Sequence, residues 1–316
     1  MPSDRNFSIG IIGARGFVGA ELIGLIARHP HFTLAYAASR SQAGQPVPVI
    51  GGGAMTFVDA VPNEVRRIKT DAVVLAVPDG ATDEFVNALS GSVILDLSSD
   101  HRFDDSWAYG LSEHFVDAIS GAKRIANPGC YATAVQLAIR PLLPILDGVP
   151  HAFGVSGYSG AGTTPSPRND PKLLADGITP YKLVGHTHER EVSRHLGVPV
   201  RFSPHVAPFF RGITVTVQAR LAESASVDSL TRAYVDAYGS SRLIRVLGER
   251  VPRVQDIVGD PGAEIGGITV GCDGRDAAVV CTVDNLLKGA ASQAIQNLNL
   301  VFGLDAETGL IEDGDS

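Results

Sequence analysis

Phe7 to Ile12 is a short apolar run that passes without a break into Gly13-Ala14-Arg15-Gly16-Phe17-Val18-Gly19, and a helical pattern (Leu22, Ile23, Leu25, Ile26) starts at once. Strand, glycine turn and helix in that order leave few folds open. The glycines let the backbone approach a pyrophosphate, which the N-terminus of the following helix then holds. The spacing is GxxGxxG rather than the commoner GxGxxG, so the turn alone has two readings, a dinucleotide cradle or a tight structural turn. The elements around it favour the cradle. After the next strand candidate, Thr33 to Ala38, the usual ribose-binding acid is missing and Ser39-Arg40-Ser41 stands there instead. A guanidinium with hydroxyls beside it suits a 2'-phosphate and points to NADP over NAD; the alternative is a solvated surface arginine.

The alternation continues. Asp71 to Val77 reads as a buried parallel strand, Pro78-Asp79-Gly80 as its turn, Thr82 to Leu89 as a helix and Val93 to Leu97 as the next strand. This predicts an open, mostly parallel α/β sheet with ligands beyond the carboxyl ends of the strands. Arg102 falls at such an end, either as an anchor for a phosphate or carboxylate or as a solvated loop arginine.

In Ile125 to Leu143, Asn127-Pro128-Gly129 forms a tight turn, and Val135, Ile139, Leu142 and Leu143 recur at helical spacing behind it. Cys130 therefore sits in a first helical turn. Unpaired N–H groups and the positive end of the helix dipole stabilise a thiolate there, lowering the pKa from about 8.5 into a range of roughly 3.5 to 7.5. A reactive nucleophile and a small apolar filler are both open readings.

Beyond this helix the pattern changes. His151 to Ser156 is a strand candidate, and a Gly-, Pro- and Ser-rich stretch runs from Gly157 to about Pro180; a loop of that length is functional or disordered. Within it, Gly160 and Gly162 permit close backbone contact with a ligand. His186-Thr187-His188-Glu189-Arg190-Glu191 opens a helix to about Leu196, in which His188 and Glu191 share a face, so the carboxylate can orient the imidazole or another polar group. His-x-His with a Glu also raises a zinc reading, but no further His or Cys marks a third ligand; surface histidines without a role are the alternative. Gly212 to Ala219 alternates as a half-buried antiparallel strand, Asp228 to Tyr238 is a helix started by Ser226, and Ile265–Cys272 with Ala277–Asp284 flank a hairpin turn. Cys272 and Cys281 read as inert core residues. A last helix, Lys288 to Phe302, returns to the first domain.

Composition excludes several classes. A length of 316 residues with 44% hydrophobic content suits two domains, and three cysteines make no disulfide framework, which fits a reducing compartment. A formal charge of −8 without a basic run argues against a nucleic-acid partner. There is no run approaching the roughly 18 apolar residues of a membrane span, and the N-terminal MPSDRNFS lacks a signal core, so the expected location is the cytoplasm.

GARGFVG, ANPGCY, GYSGAG, the HxHxxE cluster, FSPHVAPFFRGI and DNLLKGAASQAIQNLNLVFG, in this order from Ile9 to Leu310, resemble the N-acetyl-gamma-glutamyl-phosphate reductase family, related to aspartate-semialdehyde dehydrogenase. The resemblance implies an α/β fold of semialdehyde dehydrogenase type: a Rossmann-type parallel-sheet domain (1–129 and 288–316), and an α+β catalytic and oligomerisation domain (130–287) with a mixed, largely antiparallel sheet. It implies NADPH, a small acyl phosphate substrate, a homodimer or homotetramer, Cys130 as nucleophile and His188 as the proton-moving group. Arg102, Glu191 and Arg211 fall to the substrate. Gly13, Ala14, Arg15, Gly16, Phe17, Val18, Gly19, Ser39, Arg40, Ser41, Gly160, Ala161, Gly162 and Asn285 fall to the cofactor. Glu189-Arg190 and the stretch Thr163–Thr179 depart from the family pattern. Rival readings are a reductase for aspartyl phosphate, one for a carrier-bound amino acid, and a non-catalytic NADP-binding sensor.

Overall fold

The computed structural model describes residues 5–48, 55–89 and 91–311. Residues 1–4 of the N-terminal stretch read above, and the end of the expected first domain from residue 312, lie outside the described residues. The chain divides into two compact units, Met1–Pro128 with Ala290–Ser316, and Gly129–Gly289.

In the first unit, strands β1 (Phe7–Ile12), β2 (Phe32–Ala38), β3 (Ala72–Leu75), β4 (Val93–Asp96), β5 (Ala108–Tyr109) and β6 (Arg124–Ala126) form one sheet in the order β2-β1-β3-β4-β6-β5. Every pairing in it is parallel. β3 is a continuous apolar run, and β1 and β4 depart from one only at the half-buried Ser8 and at the terminal Asp96, because strands covered on both faces have no solvent side to present polar groups to. Helices α1 (Phe17–Arg28), α2 (Pro62–Val65), α3 (Asp83–Ala88) and α4 (Val116–Ile119) connect the strands. The first of them buries Leu22, Ile23, Leu25 and Ile26, as its spacing predicts.

The second unit opens with α5 (Cys130–Ile139), followed by a 3-10 turn over Arg140–Ile145. The expected α-helical run through Leu142 and Leu143 stops earlier because Pro141 and Pro144 lack the N–H that would continue the ladder. Strands β7 (His151–Gly157), β8 (Thr179–Pro180), β9 (Arg201–Ala207), β10 (Ile213–Arg220), β11 (Ile244–Val246), β12 (Ala263–Val270) and β13 (Asp276–Val283) follow, with helices α6 (Pro171–Leu174), α7 (Thr187–Leu196), α8 (Val227–Tyr238) and α9 (Val254–Ile257). The sheet order is β11-β12-β13-β10-β7-β9-β8. It is mixed: β7/β9 and β11/β12 are parallel and the remaining pairs antiparallel. α5 and α8 contribute Val135, Leu137, Ile139, Leu230 and Tyr234 to a core shared with Val215, Val217, Ile265 and Val279 of the sheet. Ser226 caps α8 reciprocally with Ser229.

Two expectations change. Cys281 is buried but Cys272 is exposed, since β12 ends at Val270 and the hairpin, closed by the Gly271 N–H donating to the Asp276 carbonyl (2.7 Å), carries Cys272 outward. The last helix is not regular from Lys288. A π-helical turn over Leu287–Ala291 precedes α10 (Ser292–Val301), whose residues Ser292 to Asn299 are all buried.

Candidate active site

Three glycines shape the β1–α1 turn differently. Gly13 has φ +86°, and a Cβ there would lie 2.1 Å from the Ala76 carbonyl oxygen. A Cβ on Gly19 would meet the Ala14 Cα at 2.6 Å, so only glycine lets α1 pack this close to the turn. At Gly16, the residue preceding α1, the nearest atom to an added Cβ is the Gly13 oxygen at 3.4 Å. α1 has no side-chain cap and no acid in its first turn. That end is open and electropositive, which fits a dinucleotide pyrophosphate. Ala14 is buried, Arg15 exposed, and Phe17 and Val18 form the first turn of α1. At the end of β2, Ser39 is buried and Ser41 exposed, while Arg40 donates from Nε to the Ala60 carbonyl (3.1 Å) and from Nη2 to Glu84 Oε1 (2.9 Å).

Arg102, also in the first unit, is 7% exposed. Its Nε donates to the Asn127 carbonyl (2.9 Å) and its Nη2 to the Leu97 carbonyl (2.8 Å).

The cysteine turn belongs to the second unit. Cys130 is the first residue of α5, half-buried, behind an extended Gly129 that provides no side-chain cap. The Gly129 N–H donates to Glu191 Oε1 at 2.9 Å, and Glu191 is fully buried. Glu191 thus braces the turn that carries the sulfur. Gly289 packs against Cys130 so closely that a Cβ there would lie 2.8 Å from the cysteine Cβ.

Tyr131 donates its hydroxyl to the His205 carbonyl (2.6 Å), and its ring lies 6.0 Å from that of His188. The His188 ring is 4.8 Å from His186. His186 Nδ1 accepts the His188 N–H (3.1 Å) and so caps α7. Burial, with the charges of Lys182 and Arg168 adding to it, lowers the His186 pKa to about 4, which keeps that nitrogen free to accept. Burial holds the phenols of Tyr131 and Tyr181 well above their ordinary range, and the charge of Cys130 pushes both further in the same direction. Tyr181 also stacks under Arg168, 5.1 Å from the ring centre, and lies edge-on to His186 at 5.6 Å.

Arg211 Nε stands 2.6 Å from Oδ2 of the wholly buried Asp284, whose carboxylate also accepts the N–H groups of Gly259 (2.8 Å) and Leu286 (2.9 Å). Asn285 uses both ends of its amide: Nδ2 donates to Ser159 Oγ (2.9 Å) and Oδ1 accepts the Gly212 N–H (2.6 Å). It braces the 3-10 turn Tyr158–Ala161, which contains Gly160 and Ala161 and ends at Gly162.

Within the second unit the structure gathers Tyr131, Glu191, His188, His186 and Tyr181 around the Cys130 turn, and separately Arg211, Asp284 and Asn285. Sequence reasoning missed Tyr181, Asp284 and the capping role of His186. Asp284 stands directly before Asn285 in a quoted motif, so a signal existed; Tyr181 ends an aperiodic stretch and had none. No group of three or more His, Cys, Asp or Glu among the described residues is placed to hold a metal.

Residues 8–122 match the semialdehyde dehydrogenase NAD-binding domain and residues 130–285 the semialdehyde dehydrogenase dimerisation domain. N-acetyl-gamma-glutamyl-phosphate reductase of Stenotrophomonas maltophilia is 49% identical over 98% of this chain and 99% of its own. The chain belongs to the N-acetyl-gamma-glutamyl-phosphate reductase family. The reductase of Xanthomonas campestris pv. campestris (strain B100) is likewise 49% identical, over 96% of this chain and 98% of its own. Members of this oxidoreductase family share their fold with more distant proteins. Aspartate semialdehyde dehydrogenase II of Vibrio cholerae superposes with a TM-score of 0.79 at 17% identity, covering 94% of this chain and 98% of that one. The Candida albicans aspartate semialdehyde dehydrogenase, solved with NADP, gives 0.73 at 18% identity over 93% and 98%. The expected fold is thereby confirmed: a parallel Rossmann-type sheet and a mixed sheet in a semialdehyde dehydrogenase architecture. No helix among the described residues is long and apolar enough to cross a membrane.

Proposed function

We propose that this chain reduces N-acetyl-gamma-glutamyl phosphate to N-acetylglutamate 5-semialdehyde with release of phosphate, as a step of arginine biosynthesis in the cytoplasm, using NADPH. The observation that carries the reading is Cys130 at the opening of α5, its turn tied to a buried Glu191 and its neighbour Tyr131 beside His188, in a chain 49% identical to reductases of that name.

The Cys130 thiolate, stabilised by the positive end of α5, attacks the acyl carbon; the carbon–sulfur bond forms, the carbon–oxygen bond to phosphate breaks, and a thioester remains. Phosphate leaves as an anion, and Arg102, oriented by its two carbonyl partners, is the cation assigned to it. NADPH, when bound, would supply the hydride that the thioester carbon accepts. Collapse of the hemithioacetal returns the electron pair to sulfur, and His188 moves the proton that the aldehyde oxygen gains and loses. Glu191 acts by holding the Gly129 turn rather than by touching substrate, because it is fully buried. Arg211, set by Asp284, is assigned to the substrate carboxylate.

For the cofactor, the open first turn of α1 and the β1–α1 glycines would hold the pyrophosphate, and Ser39, Arg40 and Ser41 the 2'-phosphate. The turn with Gly160, Ala161 and Gly162, braced by Asn285, would line the nicotinamide end. We assign the two units to cofactor binding and to catalysis with oligomerisation; the match to a dimerisation domain supports a homo-oligomer, read as a dimer or tetramer. The test is phosphate-dependent reduction of NADP with the acetylated semialdehyde. Activity with aspartate semialdehyde instead would replace the substrate while keeping the chemistry.

A further inference from the structure

The first unit holds a buried carboxylate–imidazole pair that the mechanism does not use. Asp96 is fully buried, and its Oδ2 accepts from His101 Nδ1 at 2.7 Å. The same carboxylate accepts the Ser98 N–H on Oδ1 (2.8 Å) and the Ser98 hydroxyl on Oδ2 (2.9 Å). The Asp96 carbonyl accepts the Asn127 N–H (2.8 Å). The His101 ring stacks on Trp107 at 3.9 Å, and its Nε2 faces Asp83 Oδ1 at 3.4 Å.

These bonds converge on Arg102. Its guanidinium donates to the carbonyls of Leu97 and Asn127; the Asp96 carboxylate braces the Leu97 segment by binding Ser98 and His101 on the far side of it, and the Asp96 backbone carbonyl holds the Asn127 N–H. Burying a carboxylate is costly unless donors compensate it, and such pairs are retained where one geometry must be specified. We infer that His101, locked onto Asp96, is a positioning residue that aims the Arg102 guanidinium at the phosphoryl group. This rests on the assignment of Arg102 to the substrate phosphate.

The test is steady-state kinetics in the phosphorylating direction with the purified full chain, N-acetylglutamate 5-semialdehyde, NADP and varied inorganic phosphate. His101→Phe keeps a ring on Trp107 but removes the donor to Asp96, whereas His101→Asn offers an amide N–H in place of Nδ1. Because displacement of a positioning group by about 1 Å costs up to roughly 100-fold, His101→Phe is expected to raise the phosphate KM about tenfold or more, with the KM for semialdehyde and NADP within about twofold. His101→Asn should recover most of that change. A purely structural role would shift all three constants together. In an Arg102→Ala background, His101→Phe should add nothing, since the group it aims is gone.

A phosphate KM within twofold of the unmodified chain in His101→Phe, while Arg102→Ala raises it, overturns the positioning role and leaves the Arg102 assignment standing. Effects of the two substitutions that multiply also overturn it, as does an Asn variant no better than Phe. If Arg102→Ala leaves the phosphate KM unchanged, the assignment itself fails and the inference with it. Should His101→Phe not accumulate as folded protein, Ser98→Ala removes another donor of the same carboxylate; a phosphate KM raised about threefold supports the inference and an unchanged one overturns it.

Discussion

Two helices of this chain begin alike and are held differently. α1 and α5 each follow an extended glycine, Gly16 (φ −65°, ψ 165°) and Gly129 (φ −68°, ψ 149°), with neither a side-chain cap nor an acid in the first turn. Both leave the positive end of a helix uncapped by a side chain, which suits the pyrophosphate proposed at one and the thiolate proposed at the other. The turn before α1 is closed by the Gly16 N–H donating to the Gly13 carbonyl (3.1 Å) and tied to the end of β2, where the Ala38 carbonyl accepts the N–H groups of Gly13 (3.0 Å) and Ala14 (3.1 Å). The turn before α5 is held from 62 residues away, by Glu191. α1 buries one face, whereas α5 is buried at every residue from Tyr131 to Ile139. The proposed cradle is held by backbone groups of its own turn and of the strand that follows. The proposed nucleophile is fixed by a side chain distant in the chain.

Substitutions separate the two devices. The largest effect short of removing the nucleophile is expected for His188→Asn: kcat falls about 100- to 1,000-fold, the range of a lost general acid–base group, while NADPH binding followed by fluorescence titration stays unchanged. Glu191→Gln replaces a charge-assisted bond to Gly129, worth about 1.5–3 kcal/mol, with a neutral one; kcat should drop about tenfold, and the rate of Cys130 alkylation by iodoacetamide should change with it. Gly16→Ala should leave Cys130 alkylation untouched and weaken NADPH about tenfold by filling the space at the opening of α1. Arg40→Leu is expected to reduce the preference for NADPH over NADH by about tenfold in ratios of kcat/KM, with little loss of stability because its ion pair with Glu84 is exposed.

The smallest effect concerns acid. His29 in the first unit and His186 in the second are both lowered to about 4, chiefly by burial. Between pH 6.5 and 4 the unfolded chain binds protons that the folded one does not, so the stability is full above 6.5 and is lost as pH falls toward 4. Urea titrations at pH 7 and pH 5 should show a lower midpoint at pH 5. His29→Gln should reduce that difference for the first unit only, because His29 Nε2 meets the Thr308 carbonyl (2.9 Å) within it.

How legible each device was follows from the same contrast. β1, the glycine turn and α1 read correctly because periodicity and glycine spacing carry their signal locally, even though β1 also pairs with β3 and Ala76 closes on Gly13. Cys130 at a helix start was equally legible. Its surroundings were not: Tyr181 reaches the site from a stretch with no period, and the carboxylate partner of Arg211, Asp284, comes from the far side of the β12–β13 hairpin. Cys272 was misplaced because an apolar run gives no sign of where the hairpin turn takes over. The π-helical turn before α10 was invisible for a similar reason, since Leu287–Ala291 has an ordinary helical composition and it is the approach of Gly289 to Cys130 that marks the segment.

The most direct measurement is the rate of NADP reduction with N-acetylglutamate 5-semialdehyde and phosphate, comparing the unmodified chain with Cys130→Ser, and both with NADP binding measured alongside. The thioester route predicts that turnover requires phosphate and the acetylated aldehyde and falls at least about 1,000-fold in Cys130→Ser, with NADP bound equally by both proteins. Turnover that survives the substitution, or that proceeds without phosphate, would contradict it.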